Sequence, residues 1–102
     1  MAYTLPVEFD WDESKNKSNQ LKHGVSFEEA SQLFSEDVET LEIFDELHSD
    51  LEDRFISIGP IKRGLVLVVW TERGADIIRI ISARWATTRE SQRYHAYLRD
   101  IT

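Results

Sequence analysis

"LVLVVWTERGADIIRIISARWATTRE" occupies Leu65–Glu90. Two strongly apolar runs, Leu65–Thr71 and Ile77–Ala83, flank the polar segment "ERGAD". "LVLVVW" and "IIRII" are almost continuously apolar, the pattern of strands covered on both faces, so both are predicted to be central strands. A short Gly-containing connection between two such runs predicts a hairpin. Glu90 follows Thr87 by three positions, which is capping-box spacing. It predicts a helix over "TRESQRYHAYLRD", with Tyr94, Tyr97 and Leu98 facing inward at spacings of three and four.

The preceding residues extend the sheet. "PIKRG" predicts a turn that joins the hairpin to a strand in "RFISIG", and "ETLEIFD" predicts another strand. In the latter, Leu41 and Ile43 face one way and Glu42 and Phe44 the other. The polar segment "ELHSDLED" connects the two. "VSFEEASQLFS" predicts a short helix, with Ser26 and Glu29 at capping-box spacing and Phe27, Ala30, Leu33 and Phe34 as its apolar face. "DWDESKNKSNQLKHG" predicts a longer helix. Asp10 or Asp12 caps it, Lys22 and His23 lie in the last turn, and Gly24 suits the C′ position. Val7–Trp11 predicts a first short strand. The order β-α-α-β-β-β-β-α defines an α+β domain over residues 1–102, built on an antiparallel sheet.

The chain has 102 residues, enough for one modest core, and 41% of them are hydrophobic. It has no cysteine, which excludes disulfides and thiolate chemistry and fits a reducing cytoplasm. "MAYTLPVEFDWDE" lacks the apolar segment of a signal peptide. Leu65–Trp70 is far too short to span a bilayer, so no membrane association is expected. The formal net charge of −7 is unevenly divided. Residues 61–102 carry eight Lys and Arg against four acids, and residues 1–60 carry four against fifteen. A polyanion responds to the local patch within about 8–10 Å, so the acidic total leaves a nucleic-acid ligand open.

His23, His48 and His95 show no metal-ligand spacing with one another. His48 and Asp50, with Glu46, Glu52 and Asp53 nearby, either hold a hard cation weakly, as in a small metal-dependent hydrolase, or form a solvated acidic loop. Walker A, GxGxxG, HExxH and GxSxG patterns are absent, and no cofactor is expected. His23 either transfers protons near neutral pH or serves as a cation at a helix end. Arg79 interrupts an apolar run. Plain alternation places it on one face with Ile77 and Ile81, where it either pairs with an acid or marks an active face. Arg84 follows the strand and Arg63 lies in the preceding turn. Arginine grips phosphate with a fixed fork of donors and can stabilise a phosphoryl transition state. RNA can be cut in such a site without a metal, because its own 2′-OH is the nucleophile.

Three separated motifs resemble the BrnT toxins of type II toxin–antitoxin modules. In "FDWDESKNKSNQLKHGVSFEEA", Phe9, Trp11, Asp12, Lys15, Asn19, Lys22, His23, Gly24, Val25, Phe27, Glu29 and Ala30 occupy the family's opening pattern. "HSDLEDRFISIG" resembles its middle motif. "VVWTERGADIIRIISARWATTRESQRY" resembles its closing pattern, with Thr71, Glu72, Arg79, Ile80, Ile81, Ser82, Ala83, Arg84, Ala86, Thr87, Glu90 and Tyr94 in place. The resemblance spans about residues 7–97. It implies a RelE-like fold, a metal-independent ribonuclease that inhibits translation, and a BrnA-type ribbon-helix-helix antitoxin. That antitoxin would cover the active face and contact operator DNA on the toxin's behalf.

On this resemblance His23, Arg79, Arg84 and Tyr94 are the candidate catalytic residues. His23 and Tyr94 are proton-transfer candidates, although Tyr94 also suits core packing. Arg79 and Arg84 are phosphate or transition-state stabilisers. Lys22, Arg63, Arg73 and Trp85 are candidate RNA contacts. Trp85 and Thr88 stand where the family commonly carries basic residues. Trp85 either stacks on a base or packs at the strand–helix junction. The competing expectation is a binding module without catalysis, serving as antitoxin partner and co-repressor.

Overall fold

The computed structural model describes residues 7–48 and 50–102. The elements are β1 (Glu8–Asp10), α1 (Glu13–His23), α2 (Phe27–Ala30), β2 (Leu41–Phe44), β3 (Phe55–Ile61), β4 (Gly64–Glu72), β5 (Ile77–Trp85) and α3 (Thr88–Asp100). Short 3-10 turns follow α2 (Ser31–Phe34) and β2 (Glu46–His48). The α+β order is the one expected from sequence. The five strands form one sheet in the order β1-β5-β4-β3-β2. Strands β2 to β5 are antiparallel neighbours as expected, whereas β1 pairs with β5 in parallel. The sheet is therefore mixed. Helix α1 carries the chain from β1 across the sheet, and β1 has no hairpin partner to impose the antiparallel direction.

The two sheet faces bury separate clusters. On the α1 face, Val66, Val68, Trp70, Ile78, Ile80 and Ala83 pack with Val25, Phe27, Ala30 and Leu33. Trp70 is fully buried there; its indole N–H donates to Ser57 Oγ at 2.8 Å, and Phe55 stacks on it with ring centroids 4.8 Å apart. Strand β3 passes closely beneath this cluster at Gly59, where a Cβ would meet the Leu33 side chain at 2.7 Å and Glu39 O at 3.2 Å. On the other face, Tyr94, Leu98 and Ala86 pack over Ile58, Leu67, Leu41 and Leu65. A full capping box at Thr87 and Glu90 starts α3 as the spacing predicts.

Helix α1 is docked by polar groups. Its one large apolar residue, Leu21, is 89% exposed, and the residues it buries are Asn16 and Asn19. Asn19 Nδ2 donates to Ala83 O (2.8 Å) and Val25 O (3.0 Å), while its Oδ1 accepts from Ala83 N (3.2 Å). Strand β1 pairs only with residues 77–79 of β5, so Ala83 lies beyond its reach. The Asn19 amide completes the hydrogen bonding that a longer strand would have supplied. Asn16 Oδ1 accepts from Phe27 N (2.8 Å) and fixes the start of α2. Asp12, rather than Asp10, caps α1, accepting from Ser14 N and Lys15 N. Gly24 closes the helix at φ +73°, as expected of C′. Among the described residues no helix is long and apolar enough to cross a membrane.

Candidate functional site

The site follows from an irregularity in β5. Val69 pairs with Ser82 and Trp70 pairs with Ile80, so Ile81 is an extra residue in β5. Such a bulge reverses the facing of everything beyond it. Arg79 lies opposite Thr71 and Arg84 opposite Leu67. Thr71 and Leu67 are four residues apart on regular β4 and share a face, so Arg79 and Arg84 share it too. Plain alternation over the five positions from one to the other would have put them on opposite faces. Their common face is the one packed by α3.

Helix α3 covers this face only in part. Ile43, Ile56, Val69 and Ser82 form a half-buried row across four strands beside it. Arg84 sits on the α3 side of that row and Arg79 beyond it. Arg84 grips Glu90 with both guanidinium ends, at 2.7 and 2.8 Å. The same carboxylate accepts from Thr87 N at 2.9 Å. Chiefly because of the Arg84 hydrogen bonds, Glu90 is lowered to about 2 despite its partial burial. Arg79 donates to Asp10 at 2.5 Å across the β5–β1 pair. It is thus acid-paired, the first of its two sequence readings, and it lies on the half-open face.

A second group gathers where α1 ends, on the α1 side of the sheet. Arg63, in the β3–β4 turn, donates to both oxygens of Glu29 (2.5 and 2.7 Å) and to Gly24 O (2.7 Å). Its guanidinium lies 5.1 Å from the centre of the Trp85 ring, so a cation–π contact joins two of the expected RNA-binding residues. Trp85 is half-buried against the core, which matches the packing alternative for it. Lys22 is exposed and His23 half-buried in the same corner. The Glu29 carboxyl is held below its ordinary range by Arg63.

Two expected members stand apart. Arg73 follows β4, where it reaches Glu52 at 3.4 Å, and Arg63 precedes β4. Nine residues of strand separate them, roughly 30 Å, so they cannot grip one phosphate. Tyr94 is 4% exposed, with its hydroxyl donated to Glu39 O at 2.7 Å. Burial pushes its phenol up, away from the pH range of proton exchange. The Tyr94 hydroxyl is thereby engaged by backbone.

The β2–β3 loop pairs His48 with Asp45, an acid that the sequence did not single out. His48 lies in the 3-10 turn with its Nδ1 3.0 Å from Asp45 Oδ2. Its neighbours line a cleft of about 450 Å³ together with Arg54. Among the described residues, no three His, Asp or Glu side chains converge as metal ligands would. The spacing "DELH" could have suggested the Asp45–His48 pair, but only once this segment was known to turn as a 3-10 helix.

The fold is that of a small ribonuclease toxin. The crystal structure of the Brucella abortus ribonuclease toxin BrnT matches it with a TM-score of 0.59 at 24% identity, covering 80% of this chain and 99% of that one. This likeness concerns the fold. The family is defined by sequence: residues 11–90 match the family described as "Ribonuclease toxin, BrnT, of type II toxin-antitoxin system", and the chain belongs to that family. No curated protein sequence matches the chain. Membership implies an RNA target and an antitoxin partner.

Proposed function

We propose that the whole chain, as one domain, is an endoribonuclease that inhibits translation in the cytoplasm and needs no metal. The 2′-OH of the RNA attacks the adjacent phosphate and leaves a 2′,3′-cyclic phosphate and a 5′-OH. The observation that carries this reading is the Ile81 bulge, which turns Arg79 and Arg84 onto one half-open face beside an apolar row. Arg84 is assigned to charge developing on the phosphoryl group, and Arg79 to holding the phosphate. Lys22, His23, Arg63 and Trp85 are assigned to the strand where it rounds the end of β5, and Arg73 to its far end. Tyr94 is assigned to the core. A BrnA-type ribbon-helix-helix antitoxin occupies the same face and supplies the contacts to operator DNA.

One observation favours a second reading, a binding module and co-repressor without catalysis. Arg63, Arg73, Arg79 and Arg84 each already hold a carboxylate. Induced expression of the wild type beside an Arg79→Ala/Arg84→Ala double variant, with recovery of total RNA, separates the two. Growth arrest and cut RNA from the wild type alone support the ribonuclease. Intact RNA and normal growth with folded, soluble wild type support the module. Arg84→Ala alone should lower cleavage at least about tenfold, equivalent to ~1.4 kcal/mol of transition-state stabilisation.

A further inference from the structure

The arginine face suits a phosphate, but neither expected proton-transfer group opens onto it. His23 lies at the end of α1, on the opposite side of the sheet, and the Tyr94 hydroxyl is committed to Glu39 O. The β2–β3 loop offers a better-placed group. His48 Nδ1 stands 3.0 and 3.1 Å from the two oxygens of Asp45. An ionised carboxylate can only accept, so Nδ1 donates, and in the neutral ring that tautomer leaves Nε2 with its lone pair. The two residues differ sharply in exposure: the His48 side chain is 64% exposed and that of Asp45 only 12%. A sheltered carboxylate orienting an imidazole whose other nitrogen meets solvent is the relation between orienting acid and general base in hydrolytic sites.

The dyad is fixed to the arginine face by backbone. Asp45 N donates to Arg54 O at 2.9 Å, closing the loop at its base. Thr71 Oγ1 donates to Asp53 O at 2.5 Å, and Thr71 is the strand partner of Arg79. Arg54 precedes β3 by one residue, so it and Arg79 lie two strands apart, about 10 Å between backbones. A phosphate and its ribose can bridge that gap. The cleft containing His48 and Arg54 is also walled by Leu47 and Leu51, which are 85% and 101% exposed. Its volume of about 450 Å³ falls within the range of small-ligand sites, about 300–1,000 Å³. Apolar walls suit a base or the carbon side of a ribose. Of the acids in the cleft, Glu52 is shared by Arg54 (3.7 Å) and Arg73 (3.4 Å), and Asp50 is exposed.

We propose that the His48–Asp45 pair is the proton-transfer centre of the ribonuclease, with Arg54 and Arg79 flanking the scissile phosphate; this rests on the ribonuclease reading above. His48 Nε2 takes the 2′-OH proton as O2′ bonds to phosphorus. The P–O5′ bond then breaks, the departing oxygen takes a proton from water, and His48 returns its proton to the hydroxide so formed. The products are a 2′,3′-cyclic phosphate and a 5′-OH. Asp45 is a positioning residue.

The test is cleavage of a labelled single-stranded RNA of mixed sequence by the full chain, with product ends identified. His48→Gln should lower kcat about a hundredfold or more, within the usual contribution of a general base. His95→Gln, on the exposed side of α3, should cleave as wild type does. Added imidazole should restore part of the activity of His48→Ala and none of that of Arg79→Ala. Asp45→Asn should lower kcat about tenfold with KM unchanged. His48 is exposed, so its variants should melt with the wild type, and circular dichroism checks this. Wild-type cleavage with undiminished His48→Gln, or a His48→Ala defect that imidazole does not relieve, overturns the dyad and leaves the ribonuclease standing. Wild type that yields no cyclic phosphate ends overturns the ribonuclease itself.

Discussion

Glu90→Gln separates the two tasks of the α3 cap. Gln keeps an oxygen for Thr87 N and for one Arg84 bond but removes the charge. Glu90 titrates at about 2 in the folded chain against an ordinary 4.5. That difference corresponds to at most about 3.4 kcal/mol of stability at neutral pH. The side chains of Glu90 and Arg84 are 24% and 39% exposed, so solvent screens the pair and the full figure does not apply. Exposed pairs contribute about 0.2–1 kcal/mol and hydrogen bonds to charged groups about 1.5–3, which sets the expected loss at about 1–2 kcal/mol. For a domain of this size the melting temperature should fall by roughly 5–12 °C at pH 7. The sign with pH is fixed by the depressed carboxyl. Its stabilisation is complete above the unfolded value and is lost as pH falls toward the folded one. The gap between wild type and variant should be complete at about pH 6–7 and more than half gone at about pH 3. Thermal melts followed by circular dichroism across this range test it, since other carboxylates titrate alike in both proteins. Equal stability at pH 7, or a gap that persists at pH 3, would refute the argument. RNA affinity should move the other way, because the variant leaves Arg84 with an unneutralised charge.

Asn19→Ala should destabilise by about 2–4 kcal/mol, since it strips partners from the backbone N–H and C=O of buried Ala83; urea unfolding measures it, and a loss under 1 kcal/mol would mean that water replaces the amide. Gly24→Ala should cost about 1 kcal/mol through the left-handed conformation at φ +73°, with little steric change because the added carbon would sit 3.9 Å from Trp85 Nε1. Deleting Ile81 should remove the bulge and leave Arg79 and Arg84, then four positions apart, opposite Thr71 and Leu67 on one face; the variant is expected to keep the wild-type circular dichroism spectrum, and an unfolded chain would show that the sheet needs the extra twist of the bulge to pack.

The sequence carried the element order because each signal was local. The capping box at Thr87, the glycine at position 24 and the apolar runs of β4 and β5 all act within a few residues of where they are read. What escaped was non-local. No periodicity in "IIRIISARW" announces that Ile81 is extra; only pairing with β4 shows it, so Arg79 and Arg84 were matched to a role before their common face was known. The parallel placement of β1 likewise depends on where α1 lets the chain return. Helix α1 was legible from its caps, but nothing in its composition says that two asparagines dock it. The Asp45–His48 pair was obscured because the surrounding acids suggested a solvated loop, and burial of one carboxylate among five is a property of the folded loop alone.

The carboxylates that hold Arg63, Arg73, Arg79 and Arg84 change what salt should do to RNA binding. A solvated arginine that meets a phosphate releases condensed counterions, and the logarithm of affinity then falls with the logarithm of salt by about 0.7 per contact on a single strand. Four such contacts would give a slope near −3. Here each guanidinium must exchange one internal anion for another, and the freed carboxylate recruits cations from solution as the phosphate sheds them. Binding becomes an ion exchange within the protein, shallower in its response to salt than the arginines alone would dictate.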